Sequence, residues 1–93
     1  MFNWFYKNKL NKEFSEYQIS ENFFMLIVKP TISDNIRFDR TIKLSVPIES
    51  NWILIINEIE FNLNKGVKII IPKNTILQFK HKADWLVVFI EKF

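Results

Sequence analysis

Residues 66–81 read Gly66-Val-Lys-Ile-Ile-Ile-Pro72-Lys-Asn74-Thr-Ile-Leu77-Gln-Phe79-Lys-His81. Val67 to Ile71 is a β-branched run too short for a stable helix and well suited to a strand. Pro72 cannot donate to a sheet ladder, and Lys73-Asn74 supplies a turn, since Asn tolerates positive φ best after Gly. From Thr75 to Lys80 the apolar Leu77 and Phe79 alternate with Ile76, Gln78 and Lys80, so a second strand follows at once. Strand, turn and strand within so short a stretch set the expectation for the rest of the chain.

Working outward, the same rhythm recurs. Ile42, Leu44 and Val46 alternate with Thr41, Lys43 and Ser45, and Ile59, Phe61 and Leu63 alternate with Glu58, Glu60 and Asn62; both segments predict half-buried strands. Phe23 to Val28, Trp52 to Ile56, Val67 to Ile71 and Trp85 to Ile90 are short β-branched or aromatic runs, expected to be buried on both faces or at an interface. With Tyr17 to Ser20 and Thr75 to Lys80 the count is about eight strands at the spacing of a sandwich or barrel. Asp34-Asn35, Ser50-Asn51, Asn57, Asn64-Lys65-Gly66 and Lys73-Asn74 fall between them as turns. The Asn64-Lys65-Gly66 turn is expected to close an antiparallel hairpin with Leu63 facing Val67.

The first fifteen residues read two ways. Phe2, Tyr6, Leu10 and Phe14 recur at i+4, with Lys9/Glu13 and Lys12/Glu16 as i,i+4 pairs, which favours a short helix; Phe2, Trp4 and Tyr6 equally fit one face of a strand. The helix is preferred. The expected organisation is one domain over 1–93, with a helix or arm at 1–15 and a β-barrel at 16–93.

Ninety-three residues, 48% of them apolar and 25% charged, suffice for one modest core and exclude disordered and low-complexity classes. The +3 charge invites a nucleic-acid partner. Yet Phe, Ile, Asn and Lys make up 46 of the 93 residues, all spelled by A/T-rich codons, while Arg occurs only twice; the lysine excess then records coding composition as readily as a phosphate-binding surface. No cysteine is present, which removes thiolate metal sites and Cys nucleophiles. No wholly apolar run exceeds the six residues of Phe23 to Val28, too short to span a bilayer, and Asn3, Lys7, Asn8, Lys9, Asn11 and Lys12 interrupt the N-terminal stretch where a secretory leader would be apolar. The expected location is the cytoplasm.

The stretch from Gly66 to His81 resembles the second conserved motif of the cupins, which reads Gly, five residues, Pro, one residue, Gly, two residues, His, three residues, Asn. Spacing agrees throughout: Gly66 and Pro72 match, and Asn74 stands where the second Gly would be. The strand carrying Phe79 and the closing Trp85 to Ile90 are cupin-like as well. The resemblance covers residues 58–93 and implies an all-β cupin-like barrel or jelly roll of about eight short antiparallel strands. It implies no metal chemistry, because Leu77 occupies the position of the family's metal-binding His and His81 that of the final Asn. The first cupin motif, with two further His and a Glu, would fall between Arg40 and Asn57, where there is no His and Glu49 is the only acid.

Each remaining candidate has a plainer reading. His81 titrates near neutrality, but it lies between Lys80 and Lys82 with no Ser nucleophile or carboxylate partner in view, so a surface position is expected. Glu58 and Glu60 share one strand face, roughly 7 Å apart, as an acid/base pair or a solvated face would. Lys65, Lys68, Lys73, Lys80 and Lys82 form a weak basic patch, and Trp4, Phe5 and Tyr6 adjoin Lys7 and Lys9; no RNA-recognition or phosphate-loop motif accompanies them, so any nucleic-acid binding is expected to be non-specific.

The expected function is a non-catalytic binding module without cofactor, acting on protein and first on a second copy of itself, as a dimer whose interface includes outward-facing Ile70 and Ile76. Two alternatives stand beside it. One is a small viral or mobile-element inhibitor or adaptor of a host protein, and the other is a metal-free sugar isomerase or epimerase drawing on Glu58, Glu60, His81 and the tyrosines. An interior lined with polar groups favours the enzyme; one filled by Phe and Ile favours the binding module.

Overall fold

The computed structural model describes residues 5–7, 14–28, 35–80 and 84–93, and among these it has ten strands and no helix. In chain order they are β1 (Phe5–Lys7), β2 (Phe14–Ser20), β3 (Phe23–Val28), β4 (Asn35–Phe38), β5 (Ile42–Ser45), β6 (Ile53–Ile56), β7 (Ile59–Asn62), β8 (Lys68–Ile71), β9 (Leu77–Lys80) and β10 (Leu86–Lys92). They form two five-stranded sheets, β1-β4-β9-β6-β7 and β2-β3-β10-β5-β8, and every pairing is antiparallel. The two sheets bury one face each against the other, which is how an antiparallel sandwich removes its alternating apolar residues from water.

Two strands exceed the eight expected. β4 was hidden because Ile36 and Phe38 alternate inside a stretch of turn-forming residues. β1 decides part of the N-terminal ambiguity: Phe5, Tyr6 and Lys7 pair with Phe38, Arg37 and Ile36, so this piece is strand where a helix was preferred. Sheet pairing gives its backbone groups partners that a three-residue helical turn would lack. Residues 1–4 and 8–13, on which the rest of that expectation rests, lie outside the described residues.

The core consists of Phe24, Leu26, Val28, Leu86, Val88, Ile90, Ile42, Leu44 and Ile71 from one sheet and Ile36, Phe38, Leu77, Phe79 and Leu54 from the other, closed by Val46, Trp52 and Leu63. The apolar runs are not buried on both faces. In β3 the odd-numbered Phe23, Met25 and Ile27 point away from the core and are half-buried, sheltered by one another and by their β10 neighbours, with Phe23 and Phe89 stacked at 5.2 Å between ring centres.

Asn35 opens β4 where a turn was expected, but Asn57, Asn74 and Gly66 take the turn conformations the sequence implied. Asn57 and Glu58 both adopt positive φ, 52° and 67°, so β6 and β7 are joined by a two-residue turn of the primed type, which matches the twist of its strands. Asn74 has φ 64° and donates its N–H to the Phe38 carbonyl at 2.7 Å. Gly66, at φ 92°, forms a bulge with Val67 opposite Val46: its N–H bonds the Val46 carbonyl at 2.8 Å, and the Val46 N–H bonds the Val67 carbonyl at 2.9 Å.

That bulge overturns the expected hairpin. Leu63 does not face Val67; its N–H goes to the Trp52 carbonyl at 3.0 Å, while Val67 is held to Val46. The Asn64-Lys65-Gly66 turn carries the chain from the edge of one sheet, β7, to the edge of the other, β8.

Candidate functional site

In the interior, Leu77, at the position where the cupin pattern has its metal ligand, is wholly buried on β9. Among the described residues no polar or charged side chain is buried, and no group of three His, Cys, Asp or Glu side chains is arranged to hold a metal ion. Phe, Ile, Leu and Val side chains occupy the space between the sheets. His81 and Lys82 lie outside the described residues.

Glu58 and Glu60 do not lie on one strand as expected. Glu58 sits in the β6–β7 turn in left-handed conformation, whereas Glu60 lies on β7 with its carboxylate 3.9 Å from Lys80 Nζ, both ends exposed. The basic patch is likewise dispersed. Lys65 is in the turn after β7, Lys68 on the outer face of one sheet, Lys80 on the outer face of the other, and Lys73 in the β8–β9 turn. An edge crossing between the sheets separates residues that are close in sequence.

Ile70 and Ile76 are exposed as expected, at 58% and 54%, but on different foundations. Ile70 pairs with Lys43 on the outer face of β8, and Ile76 precedes β9 in the opposite sheet, so they are not neighbours on adjoining strands.

Two features escaped the sequence reading. The first is a shallow groove of about 420 Å³ lined by Ser50, Asn51, Trp52, Ile53, Asn62 and Asn64. Its frame is hydrogen-bonded: Ser50 Oγ donates to the Leu63 carbonyl at 2.6 Å and accepts the Trp52 N–H at 3.3 Å, while the buried Trp52 indole donates to the Asp84 carbonyl at 2.6 Å. With neutral amides and an engaged hydroxyl, this lining can offer hydrogen bonds but no proton transfer. The high asparagine count was its only signal.

The second is the seam between β7 and β8. Every residue of β7 is exposed, including Ile59 at 58% and Phe61 at 37%, although both lie on the face that should meet the opposite sheet. Ile59 pairs with Ile56, and Phe61 with the wholly buried Leu54, so their side of the strand is certain. The sandwich parts at this edge, leaving an apolar lip.

No protein-family model matches the chain, and no curated protein sequence does. Solved structures do match in shape. Protein NMB1881 from Neisseria meningitidis superposes with TM-score 0.63 at 13% identity, covering 88% of this chain and 84% of that one. KdgF from Halomonas sp. gives 0.63 at 10% identity, over 94% and 87%, and the EutQ protein of Clostridium difficile 0.61 at 17%, over 85% and 65%. These are cupin-type structures. Two facing antiparallel sheets and a likeness spread over most of the chain establish a cupin-like small β-barrel.

Proposed function

We propose that the chain is a non-catalytic cupin-like module that acts by binding protein, beginning with a second copy of itself. The observation that carries this reading is the packed apolar interior: Leu77, Phe79, Leu54 and Phe24 stand where a cupin-type enzyme would need an open, polar cavity. Interaction is thereby left to the exterior, where Ile59, Ile70 and Ile76 are more than half exposed. Small soluble domains seldom leave several large aliphatic side chains in water without a partner.

Ile70 belongs to the surface a second copy covers, whereas Ile76, in the opposite sheet, lies outside it. At about 25 cal/mol per Å², burying such side chains on each protomer contributes a few kcal/mol before association costs, enough for a modest dimer. Light scattering at micromolar concentration is expected to give twice the chain mass of 11.3 kDa, and Ile70→Lys to shift it toward monomer with an unchanged β signal in circular dichroism. A wild-type monomer under those conditions overturns the reading.

A further inference from the structure

Resting on that reading of self-association, we infer that the copies join through the free edge of β7, which pairs antiparallel with β7 of the partner about a two-fold axis at Phe61.

The argument begins with hydrogen-bond alternation. In an antiparallel pair, residues opposite one another alternate between those that exchange main-chain bonds and those that do not. Trp52 and Leu63 are bonded at 3.0 Å. Continuing the register through Ile53↔Asn62, Leu54↔Phe61, Ile55↔Glu60 and Ile56↔Ile59 makes Phe61 and Ile59 the bonded residues of β7. The N–H and C=O groups of Glu60 and Asn62 therefore point the other way, toward the free edge, since β7 ends its sheet among the described residues.

An edge of this kind templates another strand unless something blunts it. β2 carries a bulge between Gln18 and Ser20, and β8 begins beside the Gly66 bulge with Lys68 outward. β7 has no proline, no bulge and no lysine; its one charge, Glu60, is drawn back toward Lys80.

Register identifies the occupant as a second copy. Centring the axis on Phe61 sets Glu60 opposite the partner's Asn62 and Asn62 opposite the partner's Glu60, so both outward-pointing residues of each copy are bonded and no carboxylates meet. Centring on Glu60 opposes two carboxylates and calls on Glu58, which is in the left-handed turn; centring on Asn62 calls on Asn64, already in the turn to β8. Only the Phe61 register is self-complementary within β7. It also sets Phe61 against the partner's Phe61 and covers the apolar lip, with Ile70 on the neighbouring β8 at the rim.

The test exploits the absence of cysteine from the chain. Directly opposed residues of a non-bonded antiparallel pair have Cα atoms about 4.5 Å apart, within disulfide reach. Under mild oxidation Phe61→Cys is expected to form a covalent dimer, and Tyr17→Cys, on the far edge strand, to remain uncrosslinked. Glu60→Pro removes a free-edge donor without touching the bonds to β6, and is expected to raise the dimer dissociation constant by roughly tenfold or more. If wild type is a dimer but Phe61→Cys does not crosslink, the edge assignment falls while self-association stands. If wild type is a monomer, self-association itself falls. Should Glu60→Pro not fold, the crosslink decides alone.

Discussion

β3 and β7 are both short, apolar-rich strands, and of the two β7 has the cleaner alternation: Ile59, Phe61 and Leu63 separated by Glu60 and Asn62, against the unbroken Phe23 to Val28. Their fates are opposite. β3 lies between β2 and β10 and buries Phe24, Leu26 and Val28 completely, while all of β7 is exposed. Alternation tells which side chains share a face; whether that face is covered depends on what packs across from it. In β3 the opposing sheet is present along the whole strand. At β7 the sheets have parted, and the apolar side chains stay exposed.

Core truncation tests this contrast most severely. Phe24→Ala should cost about 3–5 kcal/mol, because a wholly buried ring leaves a cavity between sheets. Phe61→Ala should cost less, about 1–2 kcal/mol in dilute monomeric protein, since more than a third of the side chain is already in water. Urea unfolding of both at one low protein concentration checks the pair, and equal losses would mean that the seam is closed.

Trp52→Phe asks what ties the open end to the block. It keeps most of the buried volume but removes the 2.6 Å bond from the indole to Asp84, the link between the approach to β6 and the approach to β10. A loss of about 1–2 kcal/mol is expected. A neutral result in the same unfolding assay would mean that water replaces the indole at the Asp84 carbonyl.

The smallest effect has the opposite sign. Glu58 occupies φ 67° in the β6–β7 turn, a region that penalises a side chain, and its carboxylate gives no compensating role to the turn. Glu58→Gly is expected to stabilise the hairpin by up to about 1 kcal/mol without changing the edge that β7 presents. A raised unfolding midpoint with unaltered association is the expected outcome; a loss of stability would show that Glu58 holds the turn by its side chain.

Much of the fold was legible because strand chemistry is local. The period-two pattern at Ile42 to Val46, the β-branched run at Val67 to Ile71, and Gly66, Pro72 and Asn74 at their spacing each report a backbone preference that neighbours do not alter. Leu77 was legible for the same reason: a leucine cannot ligate, wherever the chain carries it. The basic patch and the Glu58–Glu60 pair were illegible in the same degree. Both presumed that residues close in sequence stay on one surface, and a left-handed turn at Asn57-Glu58 and a bulge at Gly66 send them to different ones.

What the sequence by itself determined is that the chain beyond its first fifteen residues is built of strands and turns, that its core is aliphatic and aromatic, and that Leu77 stands at the cupin-like ligand position. What only the tertiary structure decided is which strands are edges. Leu63 and Val67 are four residues apart, yet one is tied to Trp52 and the other to Val46 in opposite sheets. Pairing of that kind is settled by bonds between distant segments, which no local pattern encodes, and it is this crossing that leaves β7 uncovered.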